Sequence, residues 1–169
     1  MEFKEFKKNV EEWARVRGIY DQSTEAHQQA KALEEIGEYL TATNDDERMD
    51  AIGDIAVCIV NASKFAPLNI DNFKNHKFSM KKDYLAGASY NIVTGRYNHA
   101  LKYLYEACIL SELYNKDFKF DSCLSKAWKE IKDRKGMMID GKYVKWDSMT
   151  EEQKAEFNRR DSGNTLIRE

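Results

Sequence analysis

The sequence predicts an all-α protein, a helical bundle that ends in a small C-terminal β-hairpin. The chain of 169 residues contains one proline and eight glycines, which are too few turn-forming residues for a fold of many short strands. Apolar residues instead recur at helical spacing over long segments. At this length we expect one domain, residues 1–169, in which the hairpin and tail occupy about 136–169.

The first two predicted helices each carry an apolar stripe at helical spacing. One is expected over about residues 2–16 and the other over about 25–41, separated by the segment RGIYDQST. The stripes consist of Phe3, Phe6, Val10 and Trp13 in the first helix, and of Leu33, Ile36 and Leu40 in the second.

The third helix is predicted over about residues 45–65 by signals at both ends. Asn44 is a favourable N-cap, and Glu47 three residues later completes a pattern typical of a capping box. The helix must end before Pro67. Beyond Asp54 it is apolar nearly all round, which predicts that this part is buried.

Helical segments alternate with turn signals in the second half of the chain. A loop is expected over residues 67–79, and one or two helices follow within about 81–115, divided near Thr94–Arg96. A further helix is predicted over about 122–134, with Gly136 as a left-handed C-cap.

Two short motifs predict a β-hairpin and a helix in the C-terminal part of the chain. Asp140-Gly141 lies between short apolar runs, which is a strong signal for a two-residue β-hairpin turn. Thr150 and Gln153 form a capping box that should open a tail helix.

Charge and composition exclude several classes of partner. The net charge is −2 and the isoelectric point is near 6.0, so neither a nucleic-acid-binding nor a membrane-binding surface is expected. The most apolar run, IAVCIV, is too short to span a bilayer. Cys58, Cys108 and Cys123 are far apart in apolar contexts, which predicts buried free thiols in a reducing, cytoplasmic compartment.

The stretch KALEEIGEYL contains a compact group of acidic residues. Glu35 and Glu38 share one helix face with Lys31 and Glu34 nearby, roughly opposite the apolar stripe. Considered alone, this pattern is typical of a solvated helix face with Lys31 and Glu35 as an i,i+4 ion pair.

The third helix changes that interpretation. Glu47, Asp50 and Asp54 lie at i, i+3 and i+7, and the same stripe continues into Cys58 and Asn61. An unpaired carboxylate at the head of an apolar stripe is costly, so Asp54 requires a cation or hydrogen-bond donors.

A short connection makes the second and third helices antiparallel neighbours. The face of Glu35 and Glu38 can then meet the face of Asp50 and Asp54, where the carboxylates repel one another unless cations neutralise them. Oxygen ligands suit Mg²⁺ or Mn²⁺, ions that in turn suit phosphate substrates. Salt bridges with basic residues such as Lys31 or Arg48 are the alternative.

Four sequence blocks resemble the MazG-like all-α nucleoside triphosphate pyrophosphohydrolases, in particular their short phage-type members. EEIGE and DAIGDIAVCIVNA are similar to the acidic motifs of that family, EWARVRGI to the end of its N-terminal helix, and LSKAWKEIKDRKGMMIDGKYVKW to its C-terminal helix and hairpin. The blocks cover most of residues 12–65 and 123–146. The resemblance implies a helical bundle of the all-α NTP pyrophosphatase type.

The resemblance also implies an activity, a cofactor and an assembly. The expected reaction is Mg²⁺-dependent hydrolysis of a nucleoside or deoxynucleoside triphosphate to the monophosphate and pyrophosphate, by a homodimer or homotetramer. Glu35, Glu38 and Asp54 would be the metal ligands and catalytic carboxylates. Family members often have a fourth carboxylate where this chain has Ala51, and we expect Asp50 to replace it, with Glu47 as the alternative.

Substrate contacts are predicted on both sides of these carboxylates. Lys31, Lys132 and Arg134 are expected to bind the phosphates, and Asn61 is expected to face the nucleotide. Lys132 and Arg134 could alternatively only complete a helix C-terminus. Lys129 stands where the family motif usually has asparagine. A non-catalytic helical interaction protein, or a metal or nucleotide binder without turnover, is the alternative function.

Overall fold

The computed structural model describes residues 1–68 and 83–162. In these residues the chain forms helices with one short hairpin between the last two α-helices. The elements are α1 (Phe3–Val16), α2 (Ile19–Gln22), α3 (Glu25–Thr41), α4 (Asp45–Ala62), α5 (Tyr84–Val93), α6 (Tyr97–Glu112), α7 (Phe120–Ile131), β1 (Gly136–Ile139), β2 (Lys142–Lys145), a 3₁₀ turn (Trp146–Ser148) and α8 (Glu151–Ser162).

Helix α4 lies at the centre of the bundle and packs against α1, α3, α6 and α7. From residue 51 to residue 62 every side chain is buried except the half-buried Asp54. The prediction that this helix is buried beyond Asp54 is therefore confirmed. The apolar stripe of α1 packs into the same core.

The predicted boundaries of the first helices agree closely with those observed. The N-cap at Asn44 is confirmed, since its Oδ1 accepts a hydrogen bond from the backbone N–H of Glu47 at 2.9 Å. Helix α4 ends at Ala62 rather than at residue 65, because the chain turns immediately afterwards. The predicted break after α1 contains the additional one-turn helix α2, which Gly18 opens with φ of 68°.

Gly53 brings α4 and α7 unusually close together. A Cβ atom at Gly53 would lie 2.5 Å from the carbonyl oxygen of Cys123 and 2.6 Å from Cβ of Ala127. No other residue type fits such a contact between backbones. This approach sets the position of α7 against the acidic residues of α4.

The end of α7 is anchored by α1. The indole Nε1 of Trp13 donates to the carbonyl oxygen of Ile131 at 2.8 Å. The buried Arg17 donates through Nε to the carbonyl oxygen of Arg134 at 3.0 Å. The helix ends at Ile131, and the predicted left-handed C-cap at Gly136 is wrong: this glycine begins strand β1 with φ of 151°.

The predicted hairpin and tail helix are confirmed. Strands β1 and β2 are antiparallel, and Asp140 and Gly141 have φ of 50° and 75°, as a type I′ turn requires. The capping box opens α8: the N–H of Thr150 donates to Oε1 of Gln153 at 2.9 Å, and the N–H of Gln153 donates to Oγ1 of Thr150 at 3.3 Å.

The remaining predictions about the fold have mixed outcomes. The division near Thr94–Arg96 is confirmed by the break between α5 and α6. The predicted loop over 67–79 lies, apart from its first two residues, outside the described residues. All three cysteines are buried and free. Among the described helices, none combines the length and the hydropathy that crossing a bilayer demands.

Candidate metal centre

The buried face of α3 differs from the one predicted. Leu40 is 68% exposed and Leu33 is 38% exposed, so only Ile36 of the predicted apolar stripe is buried. Glu35 is 9% exposed and faces the interior beside Ala32. The prediction of Leu33 and Leu40 as part of the buried stripe is wrong, because the position of α4 decides which side of α3 is covered.

Glu35 and Asp54 meet where α3 packs on α4. Burial, as the largest cause, and the carboxylates of Asp54 and Glu38 together raise the pKa of Glu35 to about 7, against the opposing effect of Lys31. Glu38 itself is exposed. The structure thus brings together the three carboxylates that the sequence motifs single out.

The pKa of Asp54 is also raised to about 7. Burial is the largest cause, followed by the carboxylates of Asp50 and Glu130, with Arg134 opposing them. Glu35 and Asp54 are therefore neighbouring carboxylates whose ionisation at neutral pH costs free energy. Bound divalent cations would remove that cost.

Asp50 lies near Asp54 and Glu130, whereas Ala51 is part of the core. Ala51 is 3% exposed, and Asp50, one residue earlier, is half-buried. Burial raises the pKa of Asp50, and the nearby carboxylate of Glu130 raises it further. The predicted substitution of Asp50 for Ala51 is sterically reasonable, and its role in metal binding stays a prediction.

Glu130 on α7 is the acidic residue that the sequence patterns missed. It acts electrostatically on both Asp50 and Asp54 and forms an ion pair with Arg134. We call the five carboxylates where α3, α4 and α7 meet the acidic seam. Its members are Glu35, Glu38, Asp50, Asp54 and Glu130. A carboxylate within a basic segment gives no sequence signal for such a site.

Two buried oxygen atoms in this region lack hydrogen-bond donors. Among the described residues these are Oδ1 of Asp50 and Oδ1 of Asn61. Both side chains lie on the same face of α4 as Asp54, since they are 4 and 7 residues from it, which corresponds to about 40° and 20° of rotation. The unmatched oxygen of Asp50, a neighbour of the carboxylates of Asp54 and Glu130, fits a hard divalent cation.

The carboxylates are neighbours rather than a closed set of ligands. In the part of the chain that the structure describes, no three acidic, histidine or cysteine side chains are close enough to enclose an ion. Glu38 and Glu130 are exposed and can rotate, so binding a cation would draw these two inward.

Cations border the acidic seam at two points. Lys31 pairs with Glu34 and acts on Glu35, while Arg134 pairs with Glu130 and acts on Asp54. Lys132 is not brought to the seam: its Nζ lies 3.9 Å from the carboxylate of Asp133. Two of the three predicted phosphate-binding cations therefore adjoin the carboxylates.

We expect the stabilisation by Mg²⁺ to increase between about pH 5 and pH 8. In the folded chain Glu35 and Asp54 have pKa values of about 7, against ordinary values of 4.5 and 3.8. The folded state therefore holds protons that the unfolded state has lost, and the free energy of unfolding of the metal-free protein falls as pH rises through this range. Because Mg²⁺ binds the ionised carboxylates, it should restore the stability that the metal-free protein loses as pH rises.

The measurement is thermal unfolding with and without millimolar Mg²⁺ at each pH. A matched ionic strength of NaCl is the control for screening. The Mg²⁺-induced rise in Tm should be small at about pH 5 and several degrees at about pH 8. Equal shifts at the two pH values would contradict metal binding by these carboxylates.

Comparisons with known proteins leave the family undecided. No protein-family model, no curated protein and no solved structure matches this chain. Membership in the MazG-like family stays a prediction from the four sequence blocks, and the structure confirms the coarser expectation of a mostly helical chain with a small C-terminal hairpin.

Proposed function

We propose that the chain is a Mg²⁺-dependent nucleoside triphosphate pyrophosphohydrolase, which converts a nucleoside or deoxynucleoside triphosphate to the monophosphate and pyrophosphate. The acidic seam is the single observation that carries this proposal. Burial and the neighbouring carboxylates raise the pKa of both Glu35 and Asp54 to about 7, and Lys31 and Arg134 lie at the border of the seam. An anionic substrate held by a divalent cation accounts for both features.

The metal site would be formed by side chains from α3 and α4. Glu35, Glu38, Asp50 and Asp54 would hold one or more Mg²⁺ ions. When bound, Mg²⁺ would neutralise charge that develops on the phosphate oxygens and would favour ionisation of the attacking water. Mn²⁺ has the same preference for oxygen ligands and should substitute for it.

The other polar residues would bind the substrate and move the proton. Lys31 and Arg134 would contact phosphate oxygens, and Lys132 would join them by rotation of its exposed side chain. Asn61 would offer its amide to the nucleotide. Water would attack the α-phosphorus, and the oxygen that bridges the α- and β-phosphates would leave with pyrophosphate. The proton of the water would pass to a carboxylate, for which the buried Glu35 is our candidate.

The proposal also includes assembly of the chain into an oligomer. The resemblance implies a homodimer or homotetramer, and the exposed leucines of α3, Leu33 and Leu40, are apolar positions that a second subunit could cover. A non-catalytic interaction protein on this scaffold is the alternative function, and Ala51 and Lys129 are the motif departures that favour it.

The test is a panel of all common ribonucleoside and deoxyribonucleoside triphosphates with Mg²⁺, in which release of pyrophosphate and of phosphate is measured separately. We expect pyrophosphate and the monophosphate in equal amounts from at least one nucleotide, and no release in the presence of EDTA. Mn²⁺ should restore the activity after chelation.

Two outcomes would contradict the proposal. Release of phosphate in place of pyrophosphate would indicate cleavage of the terminal anhydride bond. A protein that binds Mg²⁺ but hydrolyses no member of the panel would favour a binding function without turnover.

A further inference from the structure

The outward face of α3 carries apolar residues at the spacing of a coiled-coil seam. Ala26, Ala30, Leu33, Gly37 and Leu40 follow one another at steps of four, three, four and three residues. All five are exposed, Leu33 by 38% and Leu40 by 68%. Alternating steps of four and three form the stripe along which two helices pack side by side. We call these five residues the α3 row.

Helix α5 continues this apolar surface. Its exposed residues Ala86, Tyr90 and Val93 also follow at steps of four and three, and Tyr90 and Val93 are 57% and 50% exposed. We call these three residues the α5 row. Leu40 and Ala86 line the same cavity of about 500 Å³, so the two rows are neighbours on the surface.

The two rows together have the size of an interface core. At 1.5 Å per residue the α3 row is about 21 Å long and the α5 row about 10 Å, and a helix is about 10 Å wide, which gives an apolar patch of roughly 300 Å² in projection. Contiguous exposed patches of this size commonly mark interaction sites. Exposed polar residues, His27 and Glu34 beside the α3 row and Thr94 after the α5 row, supply the polar rim that surrounds such a core.

The α3 row is complementary in shape to a reversed copy of itself. Its two leucines and the small residues Ala30 and Gly37 lie symmetrically about the level of residue 35. A two-fold axis at that level would place Leu33 of one copy against Gly37 of the other, and Leu40 against Ala30. Each leucine would then fill the space above a small residue, as in the seam of packed helices.

We propose that the α3 and α5 rows form the contact between two copies of this chain, in which the two α3 helices pack antiparallel about a two-fold axis. Self-complementarity makes a second copy the occupant, because a two-fold contact uses the same patch on both subunits. Glu35 lies on the opposite side of α3, about 180° from the row, so the contact leaves the acidic seam uncovered. The inference rests on the oligomer included in the proposed function, but not on the hydrolytic activity.

The test is sedimentation equilibrium of the full chain over a range of protein concentrations. We expect wild type to reach twice the 19.7 kDa of one chain. Leu40→Glu should weaken dimerisation at least tenfold, because each dimer would bury two unpaired carboxylates. Leu113→Glu is the matched control: Leu113 is 75% exposed and belongs to neither row, so this variant should dimerise as wild type does. Circular dichroism will show that both variants fold.

Three outcomes would overturn the inference. Wild type could remain monomeric, or Leu40→Glu could leave the dimer intact, in which case another face forms the contact. If Leu113→Glu weakens dimerisation as much as Leu40→Glu does, added charge acts regardless of position and the assignment is wrong. Loss of the dimer in Leu40→Glu alone supports the inference, whatever the nucleotide panel shows.

Disulfide formation tests the antiparallel arrangement. All three native cysteines are buried, so introduced surface thiols can be followed separately. A chain with both Ala30→Cys and Leu40→Cys should form a covalent dimer on oxidation by molecular oxygen, because these positions face each other. Either substitution alone should not, since equivalent positions would be about 15 Å apart along the helices, beyond the reach of a disulfide. A covalent dimer from a single variant would indicate parallel helices and contradict the arrangement.

Discussion

Replacing Asp54 with asparagine is expected to abolish pyrophosphate release and, in the absence of metal, to raise the Tm above that of wild type. Activity should fall at least about a hundredfold, because charge neutralisation by a bound metal contributes several kcal/mol and each 1.4 kcal/mol corresponds to a factor of about ten. Stability should rise at about pH 8, because asparagine removes a buried carboxylate that burial and its acidic neighbours disfavour.

A matched control lies two turns earlier on the same helix face. Asp46 is exposed and paired with Lys126, so Asp46→Asn should change activity and Tm little. Pyrophosphate release in a nucleotide assay and thermal unfolding with EDTA measure the two effects. A lower Tm for Asp54→Asn in EDTA would mean that Asp54 makes stabilising ion pairs, and would contradict the metal interpretation.

The second large effect is expected for Gly53→Ala. The added methyl group would lie 2.5 Å from the carbonyl oxygen of Cys123 and 2.6 Å from Cβ of Ala127, so α7 must move away from α4. We expect a loss of roughly 3 kcal/mol in the free energy of unfolding, as for other overpacked cores. Activity should fall as well, since Glu130 and Arg134 move with α7.

Gly37→Ala is the control for the intrinsic effect of a helical glycine. Gly37 is exposed within α3, and a Cβ atom there would meet nothing within 4 Å. Alanine should therefore stabilise the protein by up to about 1 kcal/mol. Urea unfolding of the two variants gives the comparison. If Gly53→Ala is as stable as Gly37→Ala, the close contact between α4 and α7 does not exist.

Local sequence signals predicted the elements well. Asn44 with Glu47 and Thr150 with Gln153 defined helix starts, and Asp140-Gly141 defined the hairpin turn. Each of these signals depends on residues within a few positions of one another. Such interactions are determined by the local backbone, so they can be inferred without knowledge of the fold.

Tertiary packing decided the features that were predicted wrongly. The two leucines at the ends of the α3 stripe satisfied a helical period yet are exposed, whereas Glu35 is buried, because α4 covers the side of α3 that includes a carboxylate. Gly136 had the expected position for a cap, but hydrogen bonds from Trp13 and Arg17 anchor the chain as it leaves α7, and the glycine enters the hairpin instead.

The sequence predicted only those residues of the candidate site that lie on α3 and α4. Antiparallel packing across a short connection predicted that the face of Glu35 and Glu38 meets that of Asp54, and the family resemblance implied these three residues as ligands. Glu130 lies 76 residues beyond Asp54 along the chain and depends on the contact at Gly53. A single sequence contains no information on how α7 is aligned against α4, because charged residues at four-residue intervals, such as Lys126 and Glu130, are also typical of an ordinary helix surface.

The central claim is that the acidic seam binds divalent cations, and a crystal grown with Mn²⁺ tests it most directly. Anomalous scattering locates Mn²⁺ independently of any assumption about its ligands. We predict an anomalous peak at coordination distance from the carboxylate of Asp54, with Glu35 or Asp50 as a further ligand. Strong Mn²⁺ peaks elsewhere on the molecule and none at Asp54 would contradict the claim.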